Sequence, residues 1–167
     1  LIGLVGSEMC IRDRHYPAIA PMIKKWWKLR YTLIPYIVEQ SRKAIASGAP
    51  LLQALIFHHP EDKLCWHIDD EYYFGNDFLV APVMNSENRR DVYLPEGKWV
   101  NFFTGERLEG GRWLKNLDIP LDEMPVYVRQ GATIPVYPDE VECTDDMDLS
   151  KSIGLHIDPH FKGIFKN

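Results

Sequence analysis

The chain has 167 residues, 46% of them hydrophobic and 26% charged, which suits one packed domain with flanking segments. The net charge is −5 and the lysines and arginines are spread along the chain. No basic stripe exists to neutralise phosphates, so no nucleic-acid partner is expected. No apolar run reaches the length of roughly 20 residues needed to cross a membrane, so no membrane partner is expected either. The three scattered cysteines, Cys10, Cys65 and Cys143, make neither a disulfide framework nor a zinc ribbon.

Residues 1–14 need separate treatment. An apolar stretch, 1–5, precedes the charged stretch 10–14, the reverse of a secretory signal, and it is too short for one. The run Glu8-Met9-Cys10-Ile11-Arg12-Asp13-Arg14 reads like a translated sequencing adaptor. The expectation is that 1–14 are non-native and that the natural protein extends upstream.

From 18 to 47 the pattern is helical. Ile19, Met22, Ile23, Trp26, Leu29, Leu33 and Ile37 recur at three- and four-residue steps and make one apolar face. Pro21 suits a first turn, and Pro35 falls mid-helix and predicts a kink. Gly48 stands where a C-terminal cap belongs, and Pro50 forbids continuation. Residues 51–57 are nearly unbroken apolar sequence between prolines, which reads as a strand buried on both faces, as in a parallel sheet. A helix, a tight turn and a buried strand form half of a βαβ unit.

After Pro60 the texture changes. Short strand-like runs occupy 78–83, 91–94, 98–103, 112–114, 125–128 and 133–136. Turn signals separate them: Gly75-Asn76-Asp77, Pro95-Glu96-Gly97, Thr104-Gly105, Gly110-Gly111 and Gln130-Gly131. This spacing predicts an antiparallel β-sandwich. A polar acidic stretch, 139–148, reads as a linker, and 153–157 as the opening of a further strand.

Several of these segments, taken in order, resemble the C-terminal region of glycoside hydrolase family 31. Leu29-Arg30-Tyr31-Thr32-Leu33-Ile34-Pro35-Tyr36 is similar to that family's RYxLxPY helix, and Gly48-Ala49-Pro50 to its GxP turn. Phe78-Leu79-Val80-Ala81-Pro82-Val83 resembles LLVAPV, and Val92-Tyr93-Leu94-Pro95-Glu96-Gly97-Lys98-Trp99 resembles VYLPxGxW. Pro125-Val126-Tyr127-Val128-Arg129-Gln130-Gly131 with Ile134-Pro135 resembles PVxVRxGxxIP. Two departures are Gln53, where the family usually has Arg, and His58-His59, where it has an acidic and an aromatic residue.

The resemblance implies a mixed α and β fold. The last helix and strand of a (β/α)8 barrel would fill 15–66 and a proximal antiparallel β-sandwich 67–137. A linker with the start of a truncated distal β domain would fill 138–167. It implies a retaining α-glycosidase acting on an α-linked oligosaccharide or glycoside, with no metal or organic cofactor. Such enzymes need two carboxyl groups about 5–5.5 Å apart. In the family both are Asp residues on earlier barrel strands, upstream of residue 15, so no catalytic, cofactor-binding or metal residue is carried over to this chain.

Local candidates remain. Asp69-Asp70-Glu71 is the densest carboxylate cluster near aromatics, but neighbouring side chains point apart, and a solvated turn or helix cap is the expected role. His58, His59, Cys65, His67 and Asp69 fit no tight zinc spacing. His58 and His59 follow the expected last barrel strand, on the catalytic side, where one could line a sugar cleft, although loop packing is the expected role. Trp99, Phe102, Phe103 and Trp113 could stack sugars, but alternating strand positions favour the core. The alternative function is a standalone carbohydrate-binding β module. An uncovered Trp26, Leu29 and Leu33 stripe would promote aggregation.

Overall fold

A computed structural model describes residues 19–141 and 143–164. The reading of 1–14 as non-native lies outside them. The described chain forms two compact units: one runs to Pro35 and adds Val136–Ile153, and the other holds Tyr36–Pro135 and the segment from Gly154 onward.

The first unit contains α1 (Ala20–Thr32) with Pro21 in its first turn. The helical stretch breaks at Leu33, whose N–H still reaches Leu29 O at 3.0 Å, and α2 (Ile34–Ser47) begins one residue before Pro35. The predicted kink is therefore a full interruption, because Pro35 has no N–H to continue the ladder. Leu29 and Leu33 are buried, against the expectation of an open stripe. Trp26, the third residue of that stripe, is half-buried, and residues 136–140 return to the same helix. Tyr137 N–H bonds Thr32 O at 2.8 Å, and Lys28 pairs with Glu140 at 2.8 Å.

The second unit is built on α2 from Tyr36 onward and on two antiparallel sheets. The α2 helix ends as Gly48 N–H caps Ala44 O at 2.8 Å. The strand expected over 51–57 is shorter. β1 (Leu52–Ala54) alternates exposed, buried, exposed, and Leu55–His58 turns into a short helix, α3. β1 also pairs antiparallel, with β2 (Tyr72–Phe74), rather than parallel. The unbroken apolar run hid this, since Leu55 goes into the core while Leu52 and Phe57 stand out at 56% and 64% exposure.

β3 (Phe78–Val80), β4 (Arg89–Leu94), β5 (Lys98–Asn101), β6 (Arg107–Glu109), β7 (Arg112–Asp118) and β8 (Val126–Arg129) follow. The large sheet has the order β1-β2-β3-β8-β5-β6, and β4 pairs with β7 in a second, two-stranded sheet. Between them lies a core of Leu55, Tyr73, Leu79, Val92, Leu94, Trp99 and Tyr127. The β4–β7 register shifts between Arg90 and Val92, and the Asp91 carboxylate at this bulge takes the Asn116 N–H at 2.8 Å and Lys115 Nζ at 2.7 Å. The two antiparallel sheets bear out the β-sandwich expectation.

β9 (Thr133–Val136) pairs with β10 (Ile153–His156). The chain then closes on the large sheet. Ile157 and Ala132 are joined through Ile157 N–H to Ala132 O at 2.9 Å, Ile164 N–H reaches Phe102 O at 3.0 Å, and the Phe161 ring stacks with Phe102. Gly105 and Gly163 lie at this seam, each with its Cα against the other segment's backbone.

Candidate functional site

Two clusters of polar groups in the second unit include the histidines and carboxylates singled out in the sequence. The first is at the end of α3. The His58 ring lies 4.1 Å from the Tyr73 ring, centre to centre, and His59 Nε2 is 2.8 Å from Tyr73 Oη. Arg129 donates from Nη2 to the same oxygen at 3.2 Å, with its guanidinium 5.3 Å from the Tyr73 ring centre and 5.2 Å from that of Trp99. Arg129 can only donate, so Tyr73 keeps its own proton available for His59 Nε2.

Burial, then Arg129 and His59, push the His58 imidazolium down to about 4, and burial and Arg129 lower His59 as well. Burial holds the Tyr73 phenol well above its ordinary range. These are neutral rings around a fixed cation. A histidine lowered this far is mostly unprotonated at neutral pH and makes a poor proton donor. His58 Nε2 is buried and has no hydrogen-bond partner among the described residues.

The second place is the Asp69-Asp70-Glu71 segment, and only part of the expectation of a solvated turn holds. Asp69 and Asp70 are exposed, but Glu71 is 3% exposed at the start of β2. Its Oε1 accepts the Tyr93 N–H at 2.8 Å and Arg90 Nη2 at 3.3 Å, and the same Nη2 holds Asp70 Oδ2 at 3.0 Å. Burial raises Glu71 to about 7 against the opposing pull of the Tyr93 N–H and Arg90, with Asp70 raising it further. Such a carboxyl could hold a proton near neutrality, but Arg90 and the Tyr93 amide occupy one oxygen. The nearest carboxylate, Asp70, shares the same arginine, so the pair serves as an anchor for the bulged strand.

Asp62 caps the helical turn Lys63–Trp66 through Leu64 N–H at 3.0 Å and accepts the Tyr93 hydroxyl, beside buried Cys65, whose thiol burial pushes up to about 12. His67 and Asp69 are exposed. Among the described residues no group of three or more His, Cys, Asp or Glu is placed to hold a metal ion. Gln53 is buried and donates to Pro50 O at 2.7 Å, fixing its own turn. Trp99 and Phe102 are core residues, Phe103 is half-buried, and Trp113 is exposed with Lys115 Nζ 4.4 Å over its ring. The sequence left Arg129 and Arg90 out of its candidates. The signal for Arg129 was its place in PVxVRxGxxIP, beside a tyrosine strand.

Residues 48–134 match the family model described as the glycosyl hydrolase family 31 C-terminal domain. Alpha-glucosidase 2 of Bacillus thermoamyloliquefaciens is 37% identical over 68% of this chain, which spans 14% of that protein. An alpha-xylosidase of Saccharolobus solfataricus is 33% identical over 87% of the chain, which spans 20% of it. A family 31 dextranase of Flavobacterium johnsoniae, solved with isomaltotriose, superposes with a TM-score of 0.68 at 35% identity, over 71% of this chain and 15% of its own. The chain thus covers well under a quarter of each of these proteins. On the sandwich, its motifs and these matches together, the chain belongs to glycoside hydrolase family 31.

Proposed function

We propose that this chain is the C-terminal part of a retaining α-glycosidase and that it acts as scaffold, with the nucleophile and the acid/base supplied by sequence outside these 167 residues. The parent hydrolyses a terminal α-linked glucosyl or xylosyl residue through a covalent glycosyl-enzyme. The observation that carries this reading is the match of residues 48–134 to the family's C-terminal domain, in a chain spanning only 14% and 20% of an alpha-glucosidase and an alpha-xylosidase. Relatives named for α-glucosides, and a dextranase solved with isomaltotriose, support an α-linked oligosaccharide as the parent's substrate.

In this reading residues 15–66 end the catalytic barrel, 67–137 are the proximal sandwich, and 138–167 lead onward from it. Two features support the first assignment. β1 ends the large sheet, and Leu52 and Phe57, on and just after it, stand exposed as they would where further barrel structure covers them. The local chemistry agrees with a supporting role, since Glu71 is engaged by Arg90 and Tyr93 and the histidines at the end of α3 are engaged by Tyr73. Assay of the purified chain with aryl α-glucoside and aryl α-xyloside tests it. Neither is turned over above a matched blank, whereas the chain joined to an upstream family 31 barrel is active. Turnover by the chain alone would sink the proposal.

A further inference from the structure

A cavity of about 260 Å³ opens in the second unit between the β5–β6 hairpin and β7. Its walls are half-buried apolar side chains, Leu114 and Leu117 among them, and its rim carries three exposed carboxylates, Glu106, Asp118 and Glu123. None of the three forms an ion pair among the described residues. Tyr127, only 3% exposed, also lines the cavity, and its hydroxyl makes no hydrogen bond among the described residues. The residue is buried but its hydroxyl oxygen is not closed off, so it stands open to whatever enters the cavity, water or a ligand donor.

After burial, the strongest influence on this phenol is the Glu106 carboxylate, which together with burial pushes it up to about 12. Phenol and carboxylate both line the cavity. The set of groups is acceptor-rich, anionic and greasy, and no cationic side chain lines it. A sugar would find few donors here and too much apolar wall.

We propose that this cavity binds a small organic cation, an ammonium group on a compact apolar body. The body fills the space between Leu114 and Leu117, the ammonium donates to the rim carboxylates, Glu106 first, and to the Tyr127 oxygen. The cavity is slightly smaller than the roughly 300–1,000 Å³ of drug-sized sites, which restricts the ligand to one ring or a short branched chain.

The test is an NMR titration of the full chain with cyclohexylammonium, using cyclohexanol as its neutral twin. Cyclohexylammonium shifts the amides of Leu114, Leu117 and Tyr127 saturably, cyclohexanol binds about tenfold more weakly, and Glu106→Gln removes most of that preference. Tyr127→Phe weakens the amine several-fold, and Glu96→Gln, outside the cavity, leaves it unchanged. Should a cavity variant fail to fold, the wild-type chain still decides, since added salt weakens the amine and not the alcohol. Equal affinity for the two ligands, shifts mapping elsewhere, or no binding overturns the proposal. So does a cavity closed by a second copy of the chain, seen as concentration-dependent shifts of the same amides.

Discussion

The Glu71 carboxylate accepts the backbone N–H of Tyr93 at 2.8 Å from a position only 3% exposed. One bond thereby ties the start of β2 to β4, in different sheets of the sandwich. It also ties the stability of the fold to pH. Glu71 is raised by burial from 4.5 to about 7, so between these values the folded chain keeps a proton that the unfolded chain releases, and stability falls as pH rises. His58 is lowered from 6.5 to about 4, so over that interval the unfolded chain takes up a proton that the folded chain refuses, and stability falls as pH drops. The two effects oppose each other in the overlap. Relative to wild type, Glu71→Gln gains stability with rising pH and His58→Gln gains it with falling pH. Urea unfolding at a series of pH values checks this, and gains of the same sign would contradict one of the two assignments.

Arg129 holds Tyr73 by a hydrogen bond and lies against two rings, Tyr73 and Trp99. A lysine reaches the same place without the planar fork that stacks and donates together. Arg129→Lys costs about 1–2 kcal/mol in chemical denaturation, and Arg129→Ala costs more, since the phenol then loses its donor. A Lys variant as stable as wild type would remove the guanidinium from this account.

Gly75 has φ +63°, and a Cβ there would meet the Tyr36 hydroxyl and come within 2.7 Å of Gln40 Cγ. The same Tyr36 hydroxyl donates to Phe74 O or Asp77 Oδ2 and receives the Asp77 N–H at 3.2 Å, so it has little room to yield. Gly75→Ala is expected to destabilise by about 2–4 kcal/mol, and Tyr36→Phe by about 1–2, measured as a shift of the urea midpoint. The double variant should cost less than the sum, because removing the hydroxyl relieves the clash.

Leu52 and Phe57 are both exposed and close in sequence, with exposed Leu64 and Trp66 a little further along the chain. Leu52→Thr with Phe57→Ser raises the monomeric fraction of the isolated chain in sedimentation, and its unfolding free energy moves by no more than about 0.5 kcal/mol for each exposed change. The same pair of changes weakens a parent enzyme, if those side chains meet its barrel.

Much of the sandwich was legible because its turns are marked by glycine. Gly75, Gly97, Gly105, Gly111 and Gly131 all take positive φ, where the flanking runs had placed turns. β6 was missed, since Arg107–Glu109 has one apolar residue and no alternation to detect. β2 was missed because Tyr72–Phe74 follows three carboxylates and reads as part of a polar loop. The role of Glu71 was hidden for another reason: its partners, Arg90 and Tyr93, lie about twenty residues on, and only the sheet pairing brings them there. Periodicity misread 51–57, because an apolar run looks the same whether the chain stays extended or, as here, turns helical after Ala54.

At Gly105 and Gly163 two stretches far apart in the sequence rest backbone to backbone. A Cβ on Gly105 would lie 2.6 Å from the Lys162 carbonyl carbon, and one on Gly163 would strike Phe103 O. Both glycines also take positive φ, at +74° and +93°. Neither can be replaced while the other compensates, because each collision is with main chain, which no side-chain change removes. The heritable unit is therefore wider than the recognisable 48–134 segment. An exchange of that segment without the tail around Gly163 is therefore expected to set two main-chain surfaces against each other that were not shaped together, whichever of the two glycines is kept.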